Sequence, residues 1–260
     1  MKPHRARKRF GQNFLIDEAV VDALVAAIAP RREDRVVEIG PGLGALTQPL
    51  CERVHGLDVI EIDRDIVARL RESPLAARVA IHEGDALAFD FGGLGKDLRI
   101  VGNLPYNIST PLLFHLAGHA QAIRDIHVML QKEVVERMIA APSASDYGRL
   151  SVMLQYRFAM ECVLEVPAAA FRPAPEVESA LVRMIPLRPL PHPARDETHF
   201  AAIVAAAFSQ RRKTLRNTLK GRFGPADFER LGIDPGLRAQ DLRVEDFVRL
   251  ADEGLRQENP

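Results

Sequence analysis

Cysteine is scarce in this chain, which has two cysteines among 260 residues. Cys51 and Cys162 form no Cys-x-x-Cys pair, so both are expected to be reduced residues of the protein core. Long apolar segments are absent as well, since no run approaches the ~18 residues that a membrane span needs. Basic residues begin the chain, but no apolar segment of the signal-peptide type follows them. The sequence therefore predicts a cytoplasmic protein with no membrane partner.

A net charge is also absent at neutral pH, because 35 Lys and Arg residues balance 35 Asp and Glu residues. The charges are nevertheless unevenly distributed. Residues 1–9, the N-terminal arm, contain five basic residues and no acid, and residues 209–222, the basic segment, contain six basic residues and no acid. The neutral total therefore conceals two basic regions on an otherwise acidic chain.

The basic segment has the pattern of an amphipathic helix. Four of its cations fall within an arc of about 100° on a helical wheel, and apolar residues lie on the other side. A cationic face of this kind suits phosphates. The alternative is a solvated face without a partner, but no acid is present for i,i+4 pairing. The predicted phosphate-binding residues are Arg211, Arg212, Lys213, Arg216 and Lys220. The predicted apolar side consists of Phe200, Val204, Phe208, Leu215 and Leu219.

A cluster of prolines between Pro186 and Pro193 divides the sequence into two parts. Before it, strand and helix signals alternate, which predicts βαβ units and a mainly parallel sheet, with late strands at 160–166 and 180–185. After it, the signals are helical. The sequence therefore predicts an α/β domain over residues 1–186, including the N-terminal arm, and a small all-helical domain over residues 187–260.

A glycine-rich turn follows the predicted strand at residues 35–39. Its sequence, Gly40-Pro41-Gly42-Leu43-Gly44, precedes an apolar helical stretch. Glycines at such a turn let a ligand approach the backbone and leave the amides at the start of the helix accessible. Gly40, Gly42 and Ala45 also satisfy the fingerprint of nicotinamide enzymes. The turn therefore indicates a nucleotide-like cofactor without specifying which one.

Three acids follow or end successive predicted strands in this part of the chain. Glu38 lies two residues before Gly40, Glu61 ends the next strand, and Asp85 follows a third. An acid in the position of Glu61 can bind ribose hydroxyls. The further acids suit an adenine amine and a positively charged sulfonium, because carboxylates stabilise positive charge. The set favours S-adenosylmethionine over a dinucleotide, whereas each acid alone is more often a solvated loop residue.

A fourth predicted strand ends in Asn103-Leu104-Pro105-Tyr106. Pro105 cannot continue a strand ladder, so an amide, free carbonyls and an aromatic ring are expected at the carboxyl end of the strand. Open α/β sheets bind their ligands at that end. Such a group can accept hydrogen bonds from a planar amino group and stack on its ring. His115 and His119 have the spacing of a metal pair, but no third ligand is evident, so no metal site is predicted.

Taken together, these segments resemble the small-subunit ribosomal RNA adenine dimethyltransferases of bacteria over nearly the whole chain. Further matching segments are residues 11–15, 147–152, 171–179 and 210–215. Some of them are shared with the macrolide-resistance methyltransferases, which dimethylate an adenine of the large-subunit RNA. The Arg-Arg-Lys-Thr-Leu sequence at 211–215 resembles the small-subunit enzymes instead. Glu178 stands where family members often have Asp, which preserves the charge.

The resemblance implies a Rossmann-like, class I S-adenosylmethionine-dependent methyltransferase sheet followed by a helical RNA-binding domain. It assigns roles to residues of this sequence that match the family motifs. The implied cofactor-binding residues are Asn13, Leu15, Gly40, Glu61, Asp85 and Asn103. The implied catalytic residues are Asn103, Leu104, Tyr106 and Phe171, with the two aromatic rings stacking on a flipped base. The implied RNA-binding residues are those of the basic segment.

The resemblance also implies a reaction and a partner. The expected reaction is dimethylation of the N6 amines of two adjacent adenines in a 3′-terminal hairpin loop of small-subunit ribosomal RNA, within the pre-30S particle. A monomer is expected. Three alternatives stay open at the level of sequence: a large-subunit enzyme of the macrolide-resistance type, a nicotinamide oxidoreductase, and a non-catalytic RNA-binding assembly factor.

Overall fold

The computed structural model describes Arg7 and residues 11–258, without the side chains of residues 257 and 258. Apart from Arg7, the predicted N-terminal arm therefore lies outside the described residues. The first elements are β1 (Phe14–Leu15), α1 (Glu18–Ile28), β2 (Arg35–Ile39), α2 (Thr47–Arg53), β3 (Leu57–Glu61), α3 (Arg64–Arg71), β4 (Val79–Glu83), β5 (Leu98–Asn103) and α4 (Ser109–Gly118). The later elements are β6 (Ile123–Gln131), α5 (Lys132–Ile139), α6 (Arg149–Gln155), β7 (Phe158–Val166), β8 (Phe171–Arg172), β9 (Ser179–Pro186), α7 (Glu197–Ala207), α8 (Leu215–Thr218), α9 (Pro225–Leu231) and α10 (Val244–Glu258).

The chain forms two compact units, one containing the sheet and one helical. The sheet unit consists of residues 1–135 and 160–186, and the helical unit consists of residues 136–159 and 187–260. A division falls after residue 186, as the prolines indicate. Residues 136–159, which the sequence analysis assigned to the first domain, belong to the helical unit instead. The first passage of the chain from the sheet unit to the helical unit falls between residues 135 and 136, inside α5, where no proline or glycine marks a boundary.

The sheet unit has seven strands in the order β4-β3-β2-β5-β6-β9-β7. Strands β4 to β6 pair in parallel, and β9 pairs antiparallel with β6. The late strands β7 and β9 close one side of this sheet, as predicted. Strands β1 and β8 form a separate two-stranded antiparallel ribbon. The α/β fold class is therefore confirmed.

The central strands are apolar on both faces. Val36, Val37 and Ile39 of β2 are each at most 2 % exposed. Strands that are covered on both faces have continuous apolar sequences rather than alternating ones, which explains the run in β2 and the similar run in β5. Strand β2 lies between β3 and β5, so the strand order reverses there. A crevice forms at such a switch point, beyond the carboxyl ends of the strands.

A buried ion-pair network lies at the opposite, amino end of these strands. Arg99 of β5 is 4 % exposed. Its Nε lies 3.0 Å from Asp125 Oδ1, and its Nη1 lies 2.7 Å from Asp34 Oδ2. The same guanidinium donates to the carbonyls of Ile28 and Ala29, where α1 ends. Burial alone would raise the pKa values of Asp34 and Asp125, but hydrogen bonds and nearby cations hold both below their usual range.

The helical unit corrects the prediction of one amphipathic helix through the basic segment. Helix α7 ends at Ala207, turns follow, and α8 is a separate four-residue helix. The helical conformation is interrupted before Leu215. The amides of Leu215 and Arg216 donate to the carbonyls of Leu237 and Pro235 rather than to a preceding helical turn. The burial of the predicted apolar residues is largely correct, since four of the five are at most 1 % exposed: Phe200, Val204, Leu215 and Leu219.

The two cysteines differ in their environments. Cys51 is buried, as predicted, whereas Cys162 is exposed on β7. The prediction that Cys162 is a core residue is therefore wrong, because β7 is the last strand of the sheet and presents much of its length to solvent. Within the part of the chain that the structure describes, no helix combines the length and the apolar character that a membrane crossing requires.

Candidate active site

A cavity of about 200 Å³ opens at the crevice beside β2 and β5. Five segments supply its walls, namely residues 11–15, 38–46, 60–66, 84–86 and 103–108. Four of these segments end or follow the parallel strands β2, β3, β4 and β5, and the first contains β1. Ligands bind in this position in open α/β sheets.

All the predicted cofactor-binding residues and three of the four predicted catalytic residues line this cavity. They are Asn13, Leu15, Gly40, Glu61, Asp85, Asn103, Leu104 and Tyr106. Phe171 is the exception. It pairs with Leu15 across the β1–β8 ribbon, is 3 % exposed and packs in the apolar core. The stacking role predicted for Phe171 therefore stays a prediction.

Two glycines allow the close backbone approaches that shape the cavity. Gly42 has φ of +55°, and a Cβ built there would lie 3.2 Å from the Phe14 ring. The space beside Gly102 of β5 is smaller still, because a Cβ there would lie 2.5 Å from the Ile39 carbonyl oxygen. A side chain at either position would displace the glycine-rich turn relative to its neighbours. Glycine at these positions thus keeps the turn close to the end of β5.

Glu38 is a charged residue in an unusual setting. It is 2 % exposed at the end of β2, and no described residue donates a hydrogen bond to its Oε2. Burial raises the pKa of Glu38 to about 7, the nearby Thr47 hydroxyl opposes this, and the Glu61 carboxylate adds to it. A buried carboxylate oxygen without a donor, lining a cavity, is suited to a cationic ligand group. Glu38 is not among the cofactor-binding residues that the sequence predicts.

Glu61 is held in place by the residue that begins α3. Its Oε1 accepts a hydrogen bond of 2.8 Å from the Asp63 amide. Burial raises the pKa of Glu61, although that hydrogen bond opposes the shift. Asp63, which is fully buried, caps α3 by accepting from the Asp65 amide. Asp63 is not among the site residues predicted from the sequence, although an aspartate immediately before a helix is a recognisable cap signal.

Arg7 and Gln12, which precede β1, bind the Asp63 carboxylate beside this part of the cavity. Arg7 Nη1 lies 2.8 Å from Asp63 Oδ1, and Gln12 Nε2 lies 3.1 Å from Asp63 Oδ2. Arg7 also pairs with Asp65. Residues 11–15 consequently form a fixed wall next to Glu61.

The orientation of the Asn103 amide is set by a single contact. Its Nδ2 donates a hydrogen bond of 2.9 Å to the Asn13 carbonyl oxygen. Because the nitrogen is committed to that carbonyl, the Oδ1 atom is the one left to accept from a ligand. The Leu104 amide donates to the Met129 carbonyl, whereas no described residue donates to the Leu104 carbonyl oxygen. Two acceptors are therefore available at this wall of the cavity.

Tyr106 is half-buried at the same wall. Its hydroxyl lies 2.7 Å from Ser179 Oγ, and its carbonyl accepts a hydrogen bond of 2.9 Å from the Ser109 hydroxyl. Burial raises the pKa of Tyr106, and the hydrogen bond with Ser179 opposes the shift. Ser179 was not singled out from the sequence, although it ends the matching segment at 171–179.

The predicted phosphate-binding residues lie in the helical unit. All five are exposed: Arg211, Arg212, Lys213, Arg216 and Lys220. Arg211 to Lys213 lie in the turns after α7, Arg216 lies in α8, and Lys220 follows it. None of them pairs with an acid among the residues that the structure describes. No group of metal-ligating side chains occurs within that same part of the chain.

The doubly wound sheet and its cavity define a class of protein. Glycines close to the end of β2, acids at the ends of successive strands, and an unsatisfied buried carboxylate together fit a cationic, adenosine-containing cofactor. The class is that of the S-adenosylmethionine-dependent methyltransferases.

Comparison with known proteins gives the family. A family model described as "Ribosomal RNA adenine dimethylase" matches residues 3–254. The chain therefore belongs to the ribosomal RNA adenine dimethylase family. This membership decides against the nicotinamide oxidoreductase that the glycine-rich turn alone permits.

Individual relatives match over nearly their full lengths. The chain is 64 % identical to ribosomal RNA small subunit methyltransferase A of Thiobacillus denitrificans, over 94 % of this chain and 96 % of the relative. It is 59 % identical to the protein of the same name in Chromobacterium violaceum, over 98 % and 100 % of the two chains. Among solved structures, a dimethyladenosine transferase from Plasmodium falciparum superposes with a TM-score of 0.80 at 26 % identity, covering 91 % and 95 % of the two chains.

Proposed function

We propose that this protein transfers methyl groups from S-adenosylmethionine to the N6 amines of two adjacent adenines in a 3′-terminal hairpin loop of small-subunit ribosomal RNA. The products are N6-dimethyladenosines. The names of the full-length relatives support the small subunit as the source of the RNA. The observation that carries the proposal is the pair of acceptors, Asn103 Oδ1 and the Leu104 carbonyl, at one wall of the cavity.

These acceptors address the main chemical difficulty of the reaction. An adenine N6 amine is a poor nucleophile because its lone pair is delocalised into the ring. In the first transfer, hydrogen bonds from both amine protons to Asn103 and Leu104 favour a pyramidal nitrogen with a localised lone pair. In the second transfer, the monomethylated amine has one proton left to donate to these acceptors. The amine is then also held at a fixed place in the cavity, and positioning supplies much of the rate. The proton leaves after methyl transfer, when the nitrogen is cationic, so no strong base is required.

The bound cofactor supplies an electrophilic methyl group on a sulfonium. In this proposal Glu61 binds the ribose hydroxyls and Asp85 binds the adenine amine. Gly40 lets the cofactor approach the backbone closely. The buried Glu38 carboxylate adds negative charge opposite a cationic cofactor. Asn13 and Leu15 close the rim.

Tyr106 stacks on the flipped adenine in this proposal. Stacking on an aromatic ring contributes about 1–3 kcal/mol per base, which is comparable with the few kcal/mol that unstacking costs. Phe171 is proposed for the second face of the base, which requires it to leave the core position that it occupies here. Tyr106 alone therefore offsets part of the cost of base flipping.

The exposed, unpaired cations of the basic segment are proposed to bind RNA phosphates. The helical unit acts in this proposal as an RNA-binding domain, and the substrate is the pre-30S particle during ribosome assembly. The protein is proposed to act as a monomer in the cytoplasm, where that particle forms.

The test is methyl transfer from labelled S-adenosylmethionine to unmethylated small and large ribosomal subunits, followed by nucleoside analysis. We expect dimethyladenosine in small-subunit RNA alone. Label in large-subunit RNA would assign the protein to the macrolide-resistance type instead. Cofactor binding without transfer to either subunit would contradict the proposal and favour a non-catalytic assembly factor.

A further inference from the structure

Ser179 is a buried polar residue that neither the cofactor site nor the basic segment accounts for. It is fully buried at the start of β9, and its hydroxyl lies 2.7 Å from the Tyr106 hydroxyl. A distance of this size is typical of a strong hydroxyl–hydroxyl hydrogen bond. Ser179 does not line the cavity, so it touches the ligand site only through the Tyr106 ring.

Strand β6 places both members of this pair. Ser179 is paired with Gln131 in the antiparallel β6–β9 ladder. Two residues earlier on β6, the Met129 carbonyl accepts the Leu104 amide and so fixes the turn that carries Tyr106. The serine and the tyrosine are therefore aligned by one strand, and their separation is set by the sheet.

Tyr106 is consequently held at its backbone and at the tip of its side chain. At its base, the Ser109 hydroxyl donates to the Tyr106 carbonyl. At its tip, Ser179 holds the phenol oxygen. A tyrosine that is anchored only at its backbone can change χ1 and swing its ring away, whereas a second anchor at the hydroxyl holds the side chain in one χ1 rotamer.

We propose that Ser179 is a positioning residue for the substrate base: its hydrogen bond to the Tyr106 hydroxyl fixes the χ1 rotamer, and so the place, of the ring on which the flipped adenine stacks. The inference rests on the proposed function, in which Tyr106 is the stacking ring. A fixed ring presents one face to the base and spares the rotational freedom that a mobile ring would lose on binding. Ser179 therefore acts on the RNA substrate and not on the cofactor.

The test is a double-mutant cycle in methyl transfer, with Ser179→Ala, Tyr106→Phe and the combined variant. A single hydrogen bond of this type corresponds to a loss of about 3- to 10-fold in kcat/KM for RNA. We expect that loss in Ser179→Ala, with an unchanged Kd for S-adenosylmethionine. In the Tyr106→Phe background the same serine substitution has no further effect, because the hydroxyl on which it acts is gone.

A matched control separates positioning from a general loss of packing. Ser151 is another fully buried serine, and its hydroxyl donates to the Arg137 carbonyl in the helical unit. Ser151→Ala removes the same atom from a buried site, and its effect is expected to be independent of Tyr106→Phe. An equal loss from Ser179→Ala in both tyrosine backgrounds would overturn the inference.

A second measurement does not depend on the reaction. The chain has three tyrosines, so selective isotope labelling gives few ring signals in NMR. We expect the Tyr106 signals to report one χ1 rotamer in the wild type and averaging between χ1 rotamers in Ser179→Ala, and an unchanged χ1 distribution would overturn the inference. Absence of methyl transfer by the wild type contradicts the proposed function alone, because the χ1 distribution is measured independently.

Discussion

Glu38 combines nearly complete burial with a carboxylate oxygen that no described residue satisfies. Its pKa is raised from 4.5 to about 7, chiefly by burial. The folded protein therefore binds a proton at Glu38 more tightly than the unfolded chain does. The stability associated with this proton is fully present below pH 4 to 5 and is lost as the pH rises through about 7.

Substitution of Glu38 by Gln isolates this contribution in the cofactor-free protein. We expect the free energy of unfolding of the wild type, relative to Glu38→Gln, to fall between pH 5 and pH 8 by about 3 kcal/mol, since one pKa unit corresponds to 1.36 kcal/mol. Urea unfolding of both proteins at several pH values measures the difference. A difference that is constant across this range would contradict the raised pKa.

Individual residues also show where sequence reasoning succeeds and where it ends. Glu61 and Asn103 were predicted because each ends a strand, and parallel strands bring their carboxyl ends together. The role of Phe171 rests on resemblance alone, and its sequence motif does not indicate that the side chain is buried in the core. Ser179 was missed because its partner, Tyr106, is adjacent only through the β6–β9 pairing.

Among the elements, β5 depends on an unusual buried charge. Arg99 joins β5 to β6 and to the end of α1 through two carboxylates and two carbonyls. Removing one partner of a buried ion pair leaves the other charges uncompensated, which costs about 3–5 kcal/mol. Arg99→Ala is therefore expected to lower the free energy of unfolding by that amount.

Chemical denaturation of Arg99→Ala beside Arg31→Ala tests this prediction. Arg31 is exposed nearby and bonds to Asp34 through its backbone amide and carbonyl, not through its side chain. Its substitution is therefore expected to change stability by less than about 0.5 kcal/mol. A similar, small effect of both substitutions would show that the network contributes little.

The basic segment shows how an element can be predicted wrongly while its surface is predicted correctly. The helical wheel placed the cations on one side because buried Leu215 and Leu219 have helical spacing. The break before Leu215 depends on carbonyls of residues 235 and 237, which no local pattern indicates. The cations are nonetheless exposed, because the buried leucines fix which side of the chain faces the core.

Salt dependence tests the role of this segment. If about six phosphates are contacted, log Kd for RNA should change with log salt with a slope of magnitude about 4 to 5. The triple variant R211A/R212A/K213A should reduce that magnitude by about 2 to 3.

The matched control for charge is R31A/R32A/K96A, which removes three exposed cations from the sheet unit. This control is expected to leave the slope nearly unchanged. Equal slopes for the two triple variants would mean that the basic segment has no special part in RNA binding.

At the scale of the whole molecule, the fold class follows from alternating strand and helix signals, and the boundary after residue 186 follows from prolines. The assignment of residues 136–159 to the helical unit could not be predicted in the same way. Helix α6 carries Val152 into the core that contains Phe200 and Phe247. That core is assembled from segments far apart in sequence, so its membership depends on tertiary packing and not on local pattern.

In the proposed mechanism, the cavity binds a target amine through Asn103 and Leu104 and a cofactor mainly through other residues. The most direct test is single-turnover methyl transfer by Asn103→Ala at saturating S-adenosylmethionine, together with the cofactor Kd. We predict a loss of transfer of at least about 100-fold, as for removal of a preorganised hydrogen-bonding group, with a cofactor Kd within a few-fold of the wild type. Transfer at a rate comparable to the wild type would contradict the role of Asn103 as an acceptor for the target amine.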